Sequence, residues 1–306
     1  MAGIEVVLMK AVAFVAIIAI GYTLKRAGFF HAHDFFLLSR MVLKITLPAA
    51  IVSNFSKISM DASMLILCGM GLLCNVFTLA VGYAVSAGKP KDKKIFAMLN
   101  LSGYNIGCFT MPFVQNFLGP LGVAATSLFD AGNAVMCTGM NYTVASMVYG
   151  EGEKPSPGRI ARSLLASIPF DAYVLMTCLT LANIRLPGMF VALADTIGGA
   201  NAFLAMLMIG VGFEIRADRE KIKTMAELLS IRFAIGIGLA LGFYFLAPLP
   251  LEVRQAVSIC AVGPVGSVAP AFVGRLNGDV ELASAVNSLS ILMGVVTTTT
   301  ALMVLL

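Results

Sequence analysis

The 306-residue chain is 59% hydrophobic, has only 12% charged residues and carries a formal net charge of +5. Its mean hydropathy of +0.92 is typical of a polytopic membrane protein, since a soluble protein rarely places so few charges on its surface. The Lys and Arg residues form no patch interleaved with aromatic side chains, so nucleic-acid binding is not indicated.

Cysteine and histidine usage argues against a metal centre. Six cysteines are scattered through apolar segments without a CxxC pair, and the chain has two histidines. This pattern predicts neither a disulfide framework nor a metal site. The HExxH, GxSxG, Walker and GxGxxG motifs are missing as well, so the sequence predicts neither an enzyme nor a bound cofactor.

Apolar runs of about 20 residues follow one another along the chain, and each suits one membrane crossing. We count ten, at roughly 3–24, 34–56, 62–87, 95–118, 122–149, 163–182, 190–213, 226–248, 253–274 and 280–305. The first run is expected to remain as a helix rather than act as a signal peptide, because Lys25 and Arg26 follow it instead of preceding it.

The connections between these runs form two alternating sets that differ in charge. One set, with its adjoining helix ends, contains most of the 21 Lys and Arg residues, Arg232 among them. The other set contains only Lys10, Lys57, Arg185 and Arg254. By the positive-inside rule the first set is cytoplasmic. We therefore expect a multi-pass protein of the cell (inner) membrane, with both termini on the outer side.

The hydrophilic stretch at 150–159 separates two blocks of five crossings. Because five is odd, the second block must be inverted relative to the first. The predicted fold is therefore an all-α integral membrane protein of ten transmembrane helices in two inverted five-helix repeats. The repeats are expected at 1–150 and 163–306, joined by a cytoplasmic linker at 151–162. An offset of 158 residues pairs Pro112 with Pro270, and also Leu118 with Leu276.

The fourth run of each block contains residues that break helices. The first such stretch reads LSGYNIGCFTMPFVQNFL at 101–118, and the second reads AVGPVGSVAPAFVGRL at 261–276. In lipid, non-helical backbone is tolerated only beside protein or a cavity. Simple kinks in packed helices are the alternative interpretation. Paired breaks at matching positions in two halves, however, indicate the binding site of a transporter, with helices 4 and 9 as broken crossing helices.

A broken helix has the chemistry to hold an anion. Its second half begins with free N–H groups and a partial positive charge, so no Arg or Lys is required, and none is expected near either break. The predicted substrate-binding residues are Asn105, Gly107, Pro112, Gly263, Pro264, Gly266, Ser267 and Pro270.

Ionisable groups inside membrane spans are functional candidates because each is costly in hydrocarbon. Asp130, followed by Asn133 in the fifth run, either binds a coupling proton or cation or hydrogen-bonds within the bundle. Asn287 lies close behind the second break and is a further candidate for ion coupling, although such polar residues also serve in packing.

The element TLPAAIVSNF at 46–55, together with the residues at the two breaks, resembles the auxin efflux carrier family. The resemblance extends over the whole ten-helix plan. It implies a PIN-like fold in which crossings one, two, six and seven form a scaffold that often dimerises, while the other six form a transport domain. In that family an asparagine at the first break binds the substrate carboxylate, and Asn105 matches it. The bulk between Gly107 and Pro112 departs from the family pattern, and the long central loop of the plant carriers is missing.

Bacterial members of that family carry malonate, malate or related organic acids, which implies the function expected here. We predict a secondary transporter of a small organic anion, a mono- or dicarboxylate, that works by alternating access as a homodimer and uses no cofactor beyond a coupling proton or sodium ion. Two alternatives stay open: a ligand-binding receptor or channel, and a carrier of the same fold for neutral or amphipathic compounds.

Overall fold

The computed structural model describes residues 4–31, 33–149, 157–214 and 219–306, so residues 151–156 of the predicted linker at 151–162 lie outside the described residues. Within these ranges the chain is helical and forms no β-strand. The α-helices of the first half are α1 (Ile4–Arg26), α2 (Asp34–Met41), α3 (Leu47–Phe55), α4 (Ile66–Val85), α5 (Lys91–Leu101), α6 (Met111–Phe117), α7 (Gly119–Val135) and α8 (Asn141–Tyr149).

The described part of the second half contains eight α-helices. Its helices are α9 (Pro157–Leu164), α10 (Ile168–Leu181), α11 (Gly188–Gly199), α12 (Asn201–Gly212), α13 (Arg219–Leu246), α14 (Leu251–Ala261), α15 (Ala269–Arg275) and α16 (Val280–Leu305). Three wide π-helical turns, Val42–Thr46, Ile106–Thr110 and Met136–Met140, precede α3, α6 and α8, and a 3-10 turn, Ala62–Leu65, precedes α4.

Six helical segments in the described chain are long and apolar enough to cross a membrane: Glu5–Arg26, Asp34–Phe55, Ala62–Val85, Gly188–Gly212, Lys221–Leu246 and Val280–Leu305. They coincide with the first, second, third, seventh, eighth and tenth predicted crossings. The fourth, fifth, sixth and ninth predicted crossings coincide instead with interrupted helices or with helices shorter than the usual 20 or so residues of one straight crossing.

Residues 102–105 separate α5 from the turn before α6, and residues 262–268 separate α14 from α15. At the first gap Gly103 has φ +78, a conformation that L side chains rarely adopt. At the second gap Pro264 has no backbone N–H to continue a helix. The helices around the gaps are equal in length, with 11 residues in α5 and α14 and 7 residues in α6 and α15.

Small residues allow the helices beside these gaps to pack closely. At Gly71 on α4 and Gly132 on α7, an added Cβ atom would collide with a backbone carbonyl of the facing helix. Close approach through glycine is a common way to pack helices in membranes, where no hydrophobic effect drives their association. The contact brings Asn75, one turn beyond Gly71, within hydrogen-bond distance of Asn133.

Candidate functional site

The two non-helical segments lie against each other. Tyr104 and Val265 form an isolated antiparallel β-bridge. The Asn105 N–H donates to the Pro264 carbonyl at 3.1 Å, and the Gly266 N–H donates to the carbonyl of the residue before Tyr104 at 3.2 Å. Each break therefore supplies hydrogen-bond partners for backbone groups that the other break removed from a helix.

Side chains of the first half bind the backbone on one side of this bridge. The Asn133 Oδ1 atom accepts from the Tyr104 N–H at 3.0 Å, and its Nδ2 atom donates to the Tyr104 carbonyl at 3.0 Å. The Asn75 Oδ1 atom accepts from the Gly103 N–H at 2.8 Å. Because Asn75 is fully buried and Asn133 is 3% exposed, these bonds form where backbone groups would otherwise remain unpaired.

Side chains of the second half bind the backbone on the other side of the bridge in the same way. The Val265 N–H donates to the Ser290 Oγ atom at 3.1 Å, and the Val265 carbonyl accepts from the Asn287 Nδ2 atom at 3.0 Å. Ser290 and Asn287 both lie on α16, the last helix of their half. Tyr104 and Val265 thus each have both backbone polar groups bound by side chains from their own half.

Arg232, on α13, connects the two breaks. Its side chain is only 3% exposed. The guanidinium donates to four backbone carbonyls: Nη1 to Leu101 at 2.6 Å, and Nη2 to Gly103 at 2.8 Å, Gly263 at 3.1 Å and Pro264 at 2.9 Å. The expectation that no Arg lies near either break is therefore wrong.

The sequence-based expectation that Arg232 lies at a charged cytoplasmic helix end is also wrong. Its position near the start of the apolar run at 226–248 suggested an interfacial residue. In the structure α13 begins at Arg219, so Arg232 lies well inside the helix, which packs against both α5 and α14. A buried Arg at this point has no distinctive local signal, because its partners are backbone carbonyls far away in sequence.

We call the contact between the two non-helical segments, 102–105 and 262–268, the crossing. A cavity of about 180 Å³ lies beside it, and residues of the second and sixth predicted membrane spans line the other side. Six of the predicted site residues line it: Asn105, Gly107, Asp130, Asn133, Gly266 and Ser267. The other five, Pro112, Gly263, Pro264, Pro270 and Asn287, are not part of the described lining. Pro112 and Pro270 instead begin the short helices α6 and α15, and Gly263, Pro264 and Asn287 contribute to the backbone contacts of the crossing.

Asn105 stands at the edge of this cavity. Its backbone precedes the π-helical turn Ile106–Thr110, and its carbonyl accepts from the Thr110 N–H at 3.1 Å. The carboxamide makes no hydrogen bond to any residue in the described ranges, although the side chain is only 6% exposed. The N–H groups at the start of the turn also lack intrahelical acceptors, as at any helix start.

Asp130 faces the same cavity and links two helices. Its Oδ1 atom accepts from the Asn133 Nδ2 atom at 2.8 Å, and its Oδ2 atom accepts from the Tyr173 hydroxyl at 2.7 Å. Tyr173 lies on α10 and is 2% exposed. Nothing in the sequence indicates this partner, because a tyrosine in an apolar run is an ordinary core residue.

Comparison with known proteins finds one family match. A family model described as a membrane transport protein matches residues 6–302. No curated protein matches the chain. The family match includes both non-helical segments, Arg232 and every residue that lines the cavity.

Proposed function

Because the chain belongs to the auxin efflux carrier family of membrane transport proteins, we propose that it is a secondary transporter of a small organic anion. It is a multi-pass membrane protein, and members of its family are transporters rather than enzymes. The proposed cargo is a mono- or dicarboxylate such as malonate or malate.

The observation that carries this proposal is the free Asn105 carboxamide beside the cavity. An amide N–H donor and the first N–H groups of a helix favour a carboxylate, which is an acceptor with up to four lone-pair sites. Gly107 lines the same cavity, and a larger residue would crowd it, because an added Cβ atom would lie 2.9 Å from Leu47 Cδ2 and 3.7 Å from Asp130 Oδ2. Ser267, which is exposed in the same cavity, offers a hydroxyl from the second break.

We further propose the ten-crossing inverted repeat, with halves at 1–150 and 163–306, both termini outside and placement in the cell (inner) membrane. The equal lengths of the helices around the two gaps support it. So do matched packing contacts, since α1 contacts α12 as α3 contacts α10, and α4 contacts α5 as α13 contacts α14. The side chains that bind the backbone of Tyr104 and Val265, Asn133 and Ser290, each lie in the last predicted crossing of their half, which is a third correspondence.

In this proposal the first, second, sixth and seventh crossings form a scaffold and the others form a moving domain. Five side-chain hydrogen bonds in the described part of the chain join the two groups. They are Tyr173 to Asp130, Lys10 Nζ to the Asn116 carbonyl at 2.7 Å, Gln115 Nε2 to the Gly198 carbonyl at 3.1 Å, Asn201 Nδ2 to Gln115 Oε1 at 3.3 Å and Ser163 Oγ to the Thr138 carbonyl at 3.1 Å. These bonds have to break or exchange partners when the groups slide past each other, as alternating access requires. A homodimer through the scaffold belongs to the same proposal and is based on the family alone.

Asp130 is the proposed ion-coupling residue, with Asn133 as its neighbour. Both carboxylate oxygens accept hydrogen bonds in the structure. Uptake of a proton on Oδ2 would turn an acceptor into a donor, so the Tyr173 hydroxyl would have to reorient. Asn287, the third coupling candidate, is not part of the described cavity lining, and its amide donates to the Val265 carbonyl.

One observation favours a second candidate function. No Lys or Arg belongs to the described lining of the cavity, and Asp130 does. A carrier of the same fold for neutral or amphipathic compounds would fit such a lining. A channel or receptor would differ from both carriers in showing no saturable exchange of labelled for unlabelled ligand.

A thermal-shift screen tests the cargo class. Purified protein is heated with small carboxylates, uncharged analogues of the same size and organic cations, with and without sodium. A ligand of the folded state raises the midpoint, so malonate or malate is expected to stabilise the wild type but not Asn105→Ala. Asn100→Ala is the matched control, because that side chain is buried and donates within its own helix to the Phe96 carbonyl. Stabilisation by uncharged compounds alone would contradict the anion proposal.

A further inference from the structure

Broken helices in transporters commonly coordinate a coupling cation through unwound carbonyls and helix C-terminal ends. The crossing contains such carbonyls. Leu101 is the last residue of α5, and Gly263 and Pro264 follow the end of α14. Carbonyls at a helix end carry partial negative charge, and several that point at one place form a favourable site for a positive ion.

In this protein the Arg232 guanidinium occupies that place. Its Nη1 and Nη2 atoms lie between 2.6 and 3.1 Å from the four carbonyls. No carboxylate in the described ranges lies within ion-pair distance of it, so the carbonyl dipoles are its counter-charge. Arg remains charged under all ordinary conditions, which makes the positive charge at the crossing permanent.

An aromatic face completes the surroundings of this group. The Arg232 Cζ atom lies 4.7 Å from the centre of the Tyr104 ring, a distance typical of a cation–π contact. The Nε atom has no hydrogen-bond partner among the residues that the structure describes. The contacts are thus made by the two terminal nitrogens and the planar face, the parts of the side chain that a free guanidinium ion also has.

We propose that Arg232 is a tethered cation in the carbonyl site formed by the two broken helices, and that it stands where a coupling metal ion would otherwise bind. It is a positioning residue: it fixes both breaks without a dissociable ion, and it leaves the proposed substrate cavity to N–H donors. Removal of the side chain would open a site for a small monovalent cation, with planar guanidinium as the best fit. The inference deepens the proposed function but concerns the crossing rather than the cargo.

Chemical rescue tests this inference. Wild type, Arg232→Ala and Arg254→Ala are heated in nanodiscs with increasing guanidinium chloride, up to about 10 mM, against choline chloride at equal ionic strength. This concentration is far below the molar range in which guanidinium denatures proteins. Arg254 is a matched control because it also donates to one carbonyl, that of Tyr244 at 2.8 Å, and lies 5.7 Å from an aromatic ring.

Arg232→Ala is expected to lower the unfolding midpoint by roughly 10 °C, because four buried carbonyls each lose a charged donor and, in the described chain, only those of Gly103 and Pro264 keep a backbone donor. Guanidinium should restore part of this loss with a saturable dependence, while choline should not. The midpoints of wild type and Arg254→Ala should show no such saturable rise. No recovery of Arg232→Ala, or equal recovery of Arg254→Ala, would overturn the inference.

A second pair of variants covers the case in which Arg232→Ala does not fold. Arg232→Lys keeps a positive charge, and Arg232→Met has similar length without one. The Lys variant should unfold at the higher temperature; a Met variant of equal or greater stability would show that the charge is not required. Since no substrate is used, failure of carboxylate transport would count against the proposed function and leave this test intact.

Discussion

The Tyr173 hydroxyl donates to Asp130 Oδ2 at 2.7 Å across the boundary between the proposed scaffold and the proposed moving domain. In this contact, an ionisable side chain that lines the cavity forms a hydrogen bond across that boundary. A change in the charge of Asp130 therefore acts on the cargo and on the contact between the two groups of helices at once.

Asp130→Asn should flatten the pH dependence of uptake. A negative carboxylate in the cavity repels an anionic cargo, so uptake by the wild type should rise as the pH falls and Asp130 takes up a proton. The Asn variant mimics the neutral form at every pH. The measurement is the initial rate of labelled malonate uptake into proteoliposomes from pH 5 to pH 8 (about one unit per step). A variant profile parallel to that of the wild type would remove Asp130 from the coupling role.

Tyr173→Phe separates the charge from the contact. The variant loses one hydrogen bond to a charged group, which contributes about 1.5–3 kcal/mol, but it keeps the carboxylate. Uptake should change in rate and retain its pH dependence. Asp171→Asn, an exposed change on the same helix, should leave both unchanged. Loss of the pH dependence in Tyr173→Phe would mean that the carboxylate is not the group that titrates.

Gly132→Leu should destabilise the fold by separating α4 from α7. The added side chain would collide with the Cys68 carbonyl, and overpacking of this kind costs about 1–3 kcal/mol. Because the same contact places Asn75 beside Asn133, substrate binding should weaken as well. Gly238→Ala, where an added Cβ meets no atom within 4 Å, is the control and should not lower the unfolding midpoint. A stable Gly132→Leu variant would show that this packing is not required.

Asn133→Ala and Asn287→Ala should each lower the unfolding midpoint, because each weakens the contact between the two non-helical segments. Each leaves at least one buried backbone group of the β-bridge unpaired, at about 1–3 kcal/mol per group. The larger effect is expected for Asn133, which binds both the N–H and the carbonyl of Tyr104. Asn54→Ala, whose amide donates only to Ala50 of its own helix, is the control. Effects on the unfolding midpoint no larger than that of the control would contradict the role assigned to Asn133 and Asn287.

Local chemistry predicted the positions of the breaks, and long-range packing decided what the breaks do. Gly103 and Pro264 interrupt their helices because of φ preference and a missing N–H, both of which can be read from the sequence. The pairing of Tyr104 with Val265 depends on how the halves dock, for which the sequence offered only a repeated proline spacing. The long apolar runs predicted the six continuous spans well, because hydropathy sums over a whole helix.

The candidate site was predicted in part. Asn105, Gly107, Gly266 and Ser267 share one cavity, as expected of residues at two facing breaks, and the candidate ion-coupling residues Asp130 and Asn133 line it as well. The roles of Arg232 and Tyr173 were not predicted, because each role depends on hydrogen-bond partners that lie far away in sequence. An Arg near the start of an apolar run is normally interfacial, and only the packing of α13 between α5 and α14 buries this one.

Counterflow in proteoliposomes tests the central claim most directly. Vesicles loaded with unlabelled malonate or malate are diluted into a trace of the labelled compound. A carrier with its carboxylate site at Asn105 should give a transient, saturable accumulation that Asn105→Ala reduces by roughly tenfold or more and that Asn100→Ala preserves. No accumulation of any carboxylate by the wild type, or full accumulation by Asn105→Ala, would contradict the claim.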